Sequence, residues 1–287
     1  MRMVYLAIFS VSSVLLINYG YASSAETLKG NDGRASKVLR FTGVQQQIHA
    51  IPGYVLAGFD RSSKNLATTR QAVVRQVLTQ AFDANQIERR VTSKVSKDLS
   101  KEAAGKIAVW LQSDLGKRIS ALEEGGWTTS GNQIEPVVAQ LEKIDLEKLE
   151  KDAPQAVRLR LIRRLDHSTN ATETLVDLSE ASAFGAATVL DASRPVDQRL
   201  GVDRVRVQID QDRPKLRMRS QQVATATFLL TYQTLTDAEL ERYAEFLESD
   251  PGREYLAATH DALKNALYEA SETMNRSLSA LFTRPKG

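Results

Sequence analysis

Apolar residues recur at intervals of three and four along most of the chain, the spacing that gathers one face of an α-helix. Between Leu66 and Phe82 the series Val73, Val74, Val77, Leu78 and Phe82 follows such a face. Asp83 then reads as the N-cap of a helix carrying Ile87, Val91 and Val95. From Ile134 to Leu149 the apolar positions Val137, Val138, Leu141, Ile144 and Leu149 alternate with charges, and Leu146 alone falls off the stripe. Val157, Leu161 and Leu165, then Leu175, Leu178 and Phe184, continue the helical spacing. Arg204 to Ile209 is the exception, because Val205, Val207 and Ile209 alternate with Arg204, Arg206 and Gln208. That is a strand pattern, yet no second segment offers it a pairing partner, so it is read as helix or irregular chain. Pro214 suits the first turn of the next helix, which carries Val223, Phe228, Leu229 and Tyr232. Leu256, Leu263, Leu267, Met274, Leu278 and Leu281 give Tyr255 to Phe282 the face of a long terminal amphipathic helix. The predicted fold class is all-α.

Breaks in this pattern divide the chain. Gly125 to Pro136 crowds Gly125, Gly126, Thr128, Thr129, Ser130 and Gly131 together, a linker composition with only Trp127 and Ile134 fit for a core. Arg194 and Pro195 mark a turn between helices. At the N-terminus, Arg2 precedes an apolar run of about fourteen residues from Val4 to Ile17, followed by Gly20, Ala22, Ser23, Ser24 and Ala25. A positive start, a short apolar core and small residues for a peptidase are the order of a secretory signal peptide. The run is short of the roughly twenty residues a membrane span needs. Residues 1–25 are therefore expected to be removed on export, with a polar stretch from Glu26 to Gly33 behind them.

The chain also matches itself. A shift of 136 positions carries Leu99 to Ala121 onto Leu235 to Ala257 without gaps. Ser100 meets Thr236, Trp110 meets Phe246, Leu111 meets Leu247, and Ser113, Asp114 and Gly116 meet Ser249, Asp250 and Gly252. Each position has a physical task. Ser100 and Thr236 are N-caps. Thr236 with Glu239 forms a capping box, whereas the first copy has Ala103 there and keeps only Glu102 nearby. Ala104, Ile107, Trp110 and Leu111 make a stripe that Leu240, Tyr243, Phe246 and Leu247 repeat. Asp114 and Asp250 are expected to cap a second helix, with Pro251 at its first position in the later copy. The unit is helix, sharp corner, helix. Ser-Asp-x-Gly-Lys/Arg at a helix start also has the form of an anion site, but packing and capping account for every residue in it. Two related helical bundles in tandem follow, residues 35–125 and residues 134–282.

The pattern Leu-Thr-Asp-Ala-Glu-Leu followed by Phe-Leu-Glu-Ser-Asp-Pro-Gly-Arg, Leu235 to Arg253, resembles an uncharacterised family of exported bacterial helical domains. Those domains carry Leu-Thr-x-x-Glu-Leu, an aromatic residue and Ser-x-x-Gly-Lys. The earlier copy departs from the pattern at Ala103 and at Leu115, which stands where the later copy has Pro251. The resemblance implies a helical fold and export, and transfers no catalytic residue.

Composition changes this picture little. Hydrophobic residues at 42% and charged residues at 25% are ordinary for a folded chain, and a formal charge of +3 over 287 residues is no nucleic-acid signature. The absence of cysteine removes disulfides, thiolate ligands and lipid attachment at a cysteine. The three histidines, His49, His167 and His260, lie far apart and outside any His-Glu-x-x-His spacing, and no phosphate loop or nucleophile elbow occurs. Carboxylates such as Glu123 and Glu124 read as a solvated helix face. Arg158, Arg160, Arg163 and Arg164 flank Leu159, Leu161, Ile162 and Leu165, and form a candidate surface for an anionic partner. A looser group holds Arg204, Arg206, Arg213, Lys215, Arg217 and Arg219, diluted by Asp203, Asp210 and Asp212. Local ion pairing on a solvated face is the plainer reading of both, and the lack of interleaved aromatics argues against single-stranded nucleic acid.

The leading expectation is a non-catalytic periplasmic interaction or scaffold protein that binds another cell-envelope protein, with no cofactor, no metal, no nucleic acid and no membrane span after signal cleavage. The alternatives are a carrier holding an apolar ligand between helices and, third, a hydrolase with an unrecognised site. A carrier needs an apolar cavity, a hydrolase a cleft with convergent, perturbed acid–base groups, and a scaffold a large exposed apolar patch.

Overall fold

In a computed structural model, residues 35–36, 38–40, 42, 44–63, 66–125, 144–192, 194 and 196–282 are described. The expected signal peptide, the polar stretch behind it, and most of the expected linker with Trp127 and Ile134 lie outside them. The described residues form α-helices and no strand, as the apolar spacing predicts. In chain order these are α1 (Val44–Ser62), α2 (Thr68–Ala81), α3 (Ala84–Asp98), α4 (Lys101–Gln112) and α5 (Asp114–Gly125). There follow α6 (Leu146–Lys151), α7 (Ala153–Thr169), α8 (Ala171–Ala192), α9 (Val202–Thr231), α10 (Asp237–Glu248) and α11 (Asp250–Phe282). No described helix is long and apolar enough to cross a membrane.

The helix starts follow the caps. Asp83 accepts from Gln86 N at 2.9 Å, and Ser100 accepts from Ala103 N at 3.1 Å. Thr236 and Glu239 close the capping box reciprocally. At the α7–α8 corner Asn170 takes the left-handed conformation, φ 55°, and the buried Asp166 receives both Thr172 N and Thr172 Oγ1. Between α8 and α9, Asp191 collects Leu200 N at 2.7 Å and Gly201 N at 2.9 Å, while Gly201 supplies a φ of 81°.

Two expectations change. Arg204 to Ile209 is helical, within a 30-residue α9. Val205 and Ile209, four apart, face inward, while Val207 is exposed, so burial follows the helical period and not the alternation. Pro214 lies inside the same helix rather than in a first turn. Its ring removes one donor to the carbonyl of Asp210; both residues are exposed, so water can take that bond.

One core takes residues from both of the segments that match at a shift of 136 positions. One buried apolar cluster runs from Ala35 to Leu278 and includes Ile107, Ile119, Leu240, Tyr243, Leu247 and Tyr255. Its spine is α11, which spans about 50 Å at 1.5 Å per residue and packs on α2, α3, α4, α8 and α10. Ala258, Ala262, Ala266 and Ala270 recur every four residues along its buried face, and their small size lets those neighbours come close.

Candidate functional site

The two corners are built alike. Ser113 and Ser249 take φ −66° with ψ 158° and 159°, ending α4 and α10. Each hydroxyl donates 2.6 Å back to a carbonyl, of Trp110 or Phe246, and accepts forward from Gly116 N or Gly252 N. The serines, not Asp114 and Asp250 as expected, are therefore the caps; the aspartates are first-turn residues, where a negative charge still suits the helix dipole. The glycines are needed because a Cβ at either would sit 2.2 Å from that same carbonyl oxygen.

The copies also face one another. Trp110 stacks on Phe246, its own counterpart, with ring centroids 4.0 Å apart and planes 11° from parallel. A residue in contact with its equivalent marks an approximate two-fold axis. The outer contacts obey it with the charges exchanged. Glu254 of α11 receives Ser100 N and Ser100 Oγ at the start of α4. Its counterpart Arg118 of α5 donates to Glu239 Oε1 and Thr234 O, both at 2.6 Å, at the start of α10. Glu254 thus supplies from the second copy the carboxylate that Ala103 denies the first. Glu102, the local candidate, pairs outward with Lys106.

On this axis lies a cavity of about 170 Å³. Its wall takes both members of six equivalent pairs: Ile107 and Tyr243, Trp110 and Phe246, Leu111 and Leu247, Ile119 and Tyr255, Ser120 and Leu256, Glu123 and Thr259. Helices α7, α8 and α9 close it with Thr169, Leu175, Phe228 and Tyr232 among others. An apolar cavity of about 150 Å³ accommodates a benzene-sized molecule. Trp110, Leu111, Ser120, Glu123, Phe246 and His260 are only half-buried, so the wall reaches solvent.

One charge breaks the symmetry. Glu123 Oε1 accepts from Tyr232 Oη at 2.6 Å and from Tyr243 Oη at 2.8 Å. Burial first, and the Glu123 charge second, push both tyrosines well above the usual phenol range, so they stay protonated donors. At the equivalent place the buried Thr259 Oγ1 makes no hydrogen bond of normal geometry among the described residues; its polar neighbour, Tyr255 Oη, donates to Thr42. Phe228, Tyr232, Tyr243 and Trp110 form a connected aromatic run around the carboxylate, with successive centroids 5.7, 5.8 and 5.4 Å apart.

The arginines singled out in the sequence lie elsewhere, on α7. Arg158 is the innermost, donating to Asp237 at 2.8 Å and to the carbonyls of Tyr232 and Leu235. Arg164 holds Glu241 and Glu248, and Arg163 pairs with Glu150. Arg160 alone is exposed and has no partner among the described residues. In the second group, Arg213 binds Glu173, Asp177 and Glu180, Arg217 binds Glu173, and Arg206 lies 4.6 Å over the Phe184 ring. Arg206 and Arg213 line a second cleft of about 310 Å³ together with Asp177, Glu180, Asp210, Lys264 and Glu272, opposite charges that largely neutralise one another. His49 pairs with Glu88, His260 faces Asn170, and no group of metal-binding side chains occurs among the described residues.

Glu123, read from sequence as a solvated carboxylate, is the polar centre of the inter-copy cavity. The available signal was its register: 136 residues on stands Thr259, so the position is polar in both copies beside an apolar stripe. No protein-family model, curated protein or solved structure matches the chain.

Proposed function

We propose that this protein is a non-catalytic carrier that holds a small, largely apolar molecule between its two related helical units. The observation that carries the reading is the aromatic-walled cavity of about 170 Å³ on the axis between the corners. Three further points favour it over the other expectations. Large exposed hydrophobics among the described residues, Val73, Val109, Val157, Val202, Val207, Met218 and Tyr268, are spread over five helices, whereas a scaffold surface calls for one contiguous patch. The perturbed groups at the cavity, Tyr232, Tyr243 and Tyr255, are shifted toward their neutral forms, which suits donating hydrogen bonds and not moving protons at neutral pH. On α7 an anionic partner would find only Arg160 without a partner among the described residues.

Export to the periplasm belongs to the same proposal. It rests on Arg2, the apolar run to Ile17 and the small residues behind it, and on the resemblance of Leu235 to Arg253 to exported helical domains. The test is native mass spectrometry of the protein released from the cell envelope without detergent. A small bound molecule is expected in the wild type and not in Ser120→Phe, which places a ring in the cavity where the equivalent position already carries Leu256. Equal retention by both proteins refutes the site, and no bound molecule together with no affinity for any small apolar probe refutes the function.

A further inference from the structure

Resting on that carrier reading, we infer that the ligand is a single aromatic ring with at most a short substituent, received by the rings of the cavity wall. The first ground is composition. Aromatic residues make up 6% of the chain, yet Trp110, Phe228, Tyr232, Tyr243, Phe246 and Tyr255 supply six of the 23 residues of the wall. Filling a core does not require this. Around α1, α2 and α3 the same core is packed largely by aliphatic side chains, among them Ile48, Ile51, Val74, Ile87, Val91 and Val95.

The second ground is geometry. Trp110 lies nearly parallel to Phe246 and to Tyr243, with centroids 4.0 and 5.4 Å apart, while Tyr232 meets Tyr243 edge-on at 76°. Both arrangements that favour aromatic pairs are therefore present in the wall. The negative face and the positive edge of a ring are each answered by another ring, so an aromatic ligand gains from whichever part of a wall ring it meets. A saturated ring or an acyl chain gains burial and dispersion only. The tyrosines add rings and no donor, because the hydroxyl hydrogens of Tyr232 and Tyr243 go to Glu123 and that of Tyr255 goes to Thr42.

The third ground is size. An apolar cavity of about 150 Å³ takes up benzene, so about 170 Å³ suits one six-membered ring with a short substituent and is too small for a long acyl tail folded inside. Trp110 and Phe246 are half-buried, whereas Phe228, Tyr232, Tyr243 and Tyr255 are buried. The stacked pair thus stands where an entering ring is met first.

Isothermal titration calorimetry of the chain released from the cell envelope, with benzyl alcohol and with cyclohexylmethanol, tests this. The two probes share their hydroxyl and their number of heavy atoms, and the saturated ring has the larger apolar surface, so area alone would make cyclohexylmethanol bind more tightly. Benzyl alcohol is instead expected to bind at least about threefold more tightly. A double variant, Phe228→Leu with Phe246→Leu, keeps the wall apolar and should shrink that preference at least about twofold; if it loses its helical circular dichroism, the wild-type comparison decides alone. Equal binding of both probes by the wild type, tighter binding of cyclohexylmethanol, or a preference undiminished in the folded double variant overturns the aromatic assignment and leaves the carrier reading standing. Binding of neither probe, or binding of both untouched by Ser120→Phe, overturns the two together.

Discussion

Replacing Gly252 by alanine tests the corner on which the shared geometry rests. A Cβ at Gly252 would lie 2.2 Å from Phe246 O, 2.7 Å from Leu247 O and 2.9 Å from Leu247 C. A carbon and a carbonyl oxygen ordinarily stay at least about 3.3 Å apart, so the clash exceeds an ångström. All three obstructing atoms are backbone and cannot rotate away. Relief requires α11 to swing from the end of α10, which breaks the bonds converging there: Ser249 N and Ser249 Oγ to Phe246 O, and Gly252 N to Ser249 Oγ. Losing two of them costs about 2 kcal/mol, and residual strain adds about 1–3 kcal/mol. Against this stands a gain of about 1 kcal/mol for alanine over glycine in a helix. The net expectation is a loss of about 2–4 kcal/mol. The assay is urea unfolding followed by circular dichroism at neutral pH, with Gly105→Ala as control. Gly105 lies exposed in α4 with nothing within 4 Å of its added Cβ, so that variant should gain about 0.5–1 kcal/mol. A Gly252→Ala protein as stable as the wild type, or more so, refutes the corner argument, because it would show that alanine fits where the carbonyls are placed.

The other expectations are separate. Glu254→Ala removes the carboxylate from Ser100 at the start of α4 and should cost about 1 kcal/mol; a double variant with Ser100→Ala should be less than additive in unfolding experiments. Arg164→Ala should lower stability by about 0.5–1 kcal/mol at neutral pH, a surface-pair value given that Glu248 and Glu241 are over a third exposed. Arg164 holds the Glu248 carboxyl below its usual range. Its stabilisation is therefore fully present above the unfolded carboxylate pKa and lost as pH falls through the depressed folded value, so the gap between wild type and variant should close in acid. Tyr232 and Tyr243, raised by burial, act with the opposite sign. Their contribution holds below the unfolded phenol pKa of about 10 and fades above it, and burial raises Tyr255 likewise, so ultraviolet titration should show at least these three tyrosines ionising only as the fold is lost. Trp110→Ala deletes the ring stacked on Phe246 and should cost about 3 kcal/mol by thermal unfolding.

What the sequence made legible was local. Ser100, Thr236 and Glu239 act within four residues of themselves, and their capping roles are those the spacing predicts. The apolar stripes placed Val74, Val77, Leu78, Ile87, Val91, Val95, Leu161 and Leu165 inward, whereas Val73 and Val157 on the same predicted faces are exposed, and in Arg204 to Ile209 burial follows the helical period and not the alternation. Asp114 and Asp250 were misread as caps because Ser113 and Ser249, one residue earlier, have equal capping chemistry, and sequence alone does not position a helix start to one residue. Pro214 misled because a proline is compatible with a first turn and also with an exposed interior position that water can satisfy. The arginines of α7 looked like a surface because their acceptors, Asp237, Glu241 and Glu248, are 79, 77 and 84 residues away. The cavity was out of reach for the same reason: its wall is assembled from α1, α4, α5 and α7 to α11, and no periodicity encodes which faces of different helices oppose.

The likeness of the two corners accounts for where the carboxylate of the cavity wall stands. When two equivalent units pack about an axis, residues on the axis meet their own counterparts, as Trp110 meets Phe246. An identical pair of carboxylates facing each other across a small apolar space would repel strongly, because the low dielectric that excludes water also removes screening. Glu123 opposite Thr259 avoids that repulsion, and Ile107 opposite Tyr243 supplies a donor on one side only. The same divergence governs the rim, where Arg118 and Glu254 occupy equivalent positions with opposite charge and each meets what the other copy's first helix presents. Two identical copies could not supply both contacts. The exchange of Glu, Arg, Thr and Tyr between otherwise equivalent positions converts a symmetric packing contact into a cavity whose two sides differ, and a cavity whose sides differ can orient what it binds.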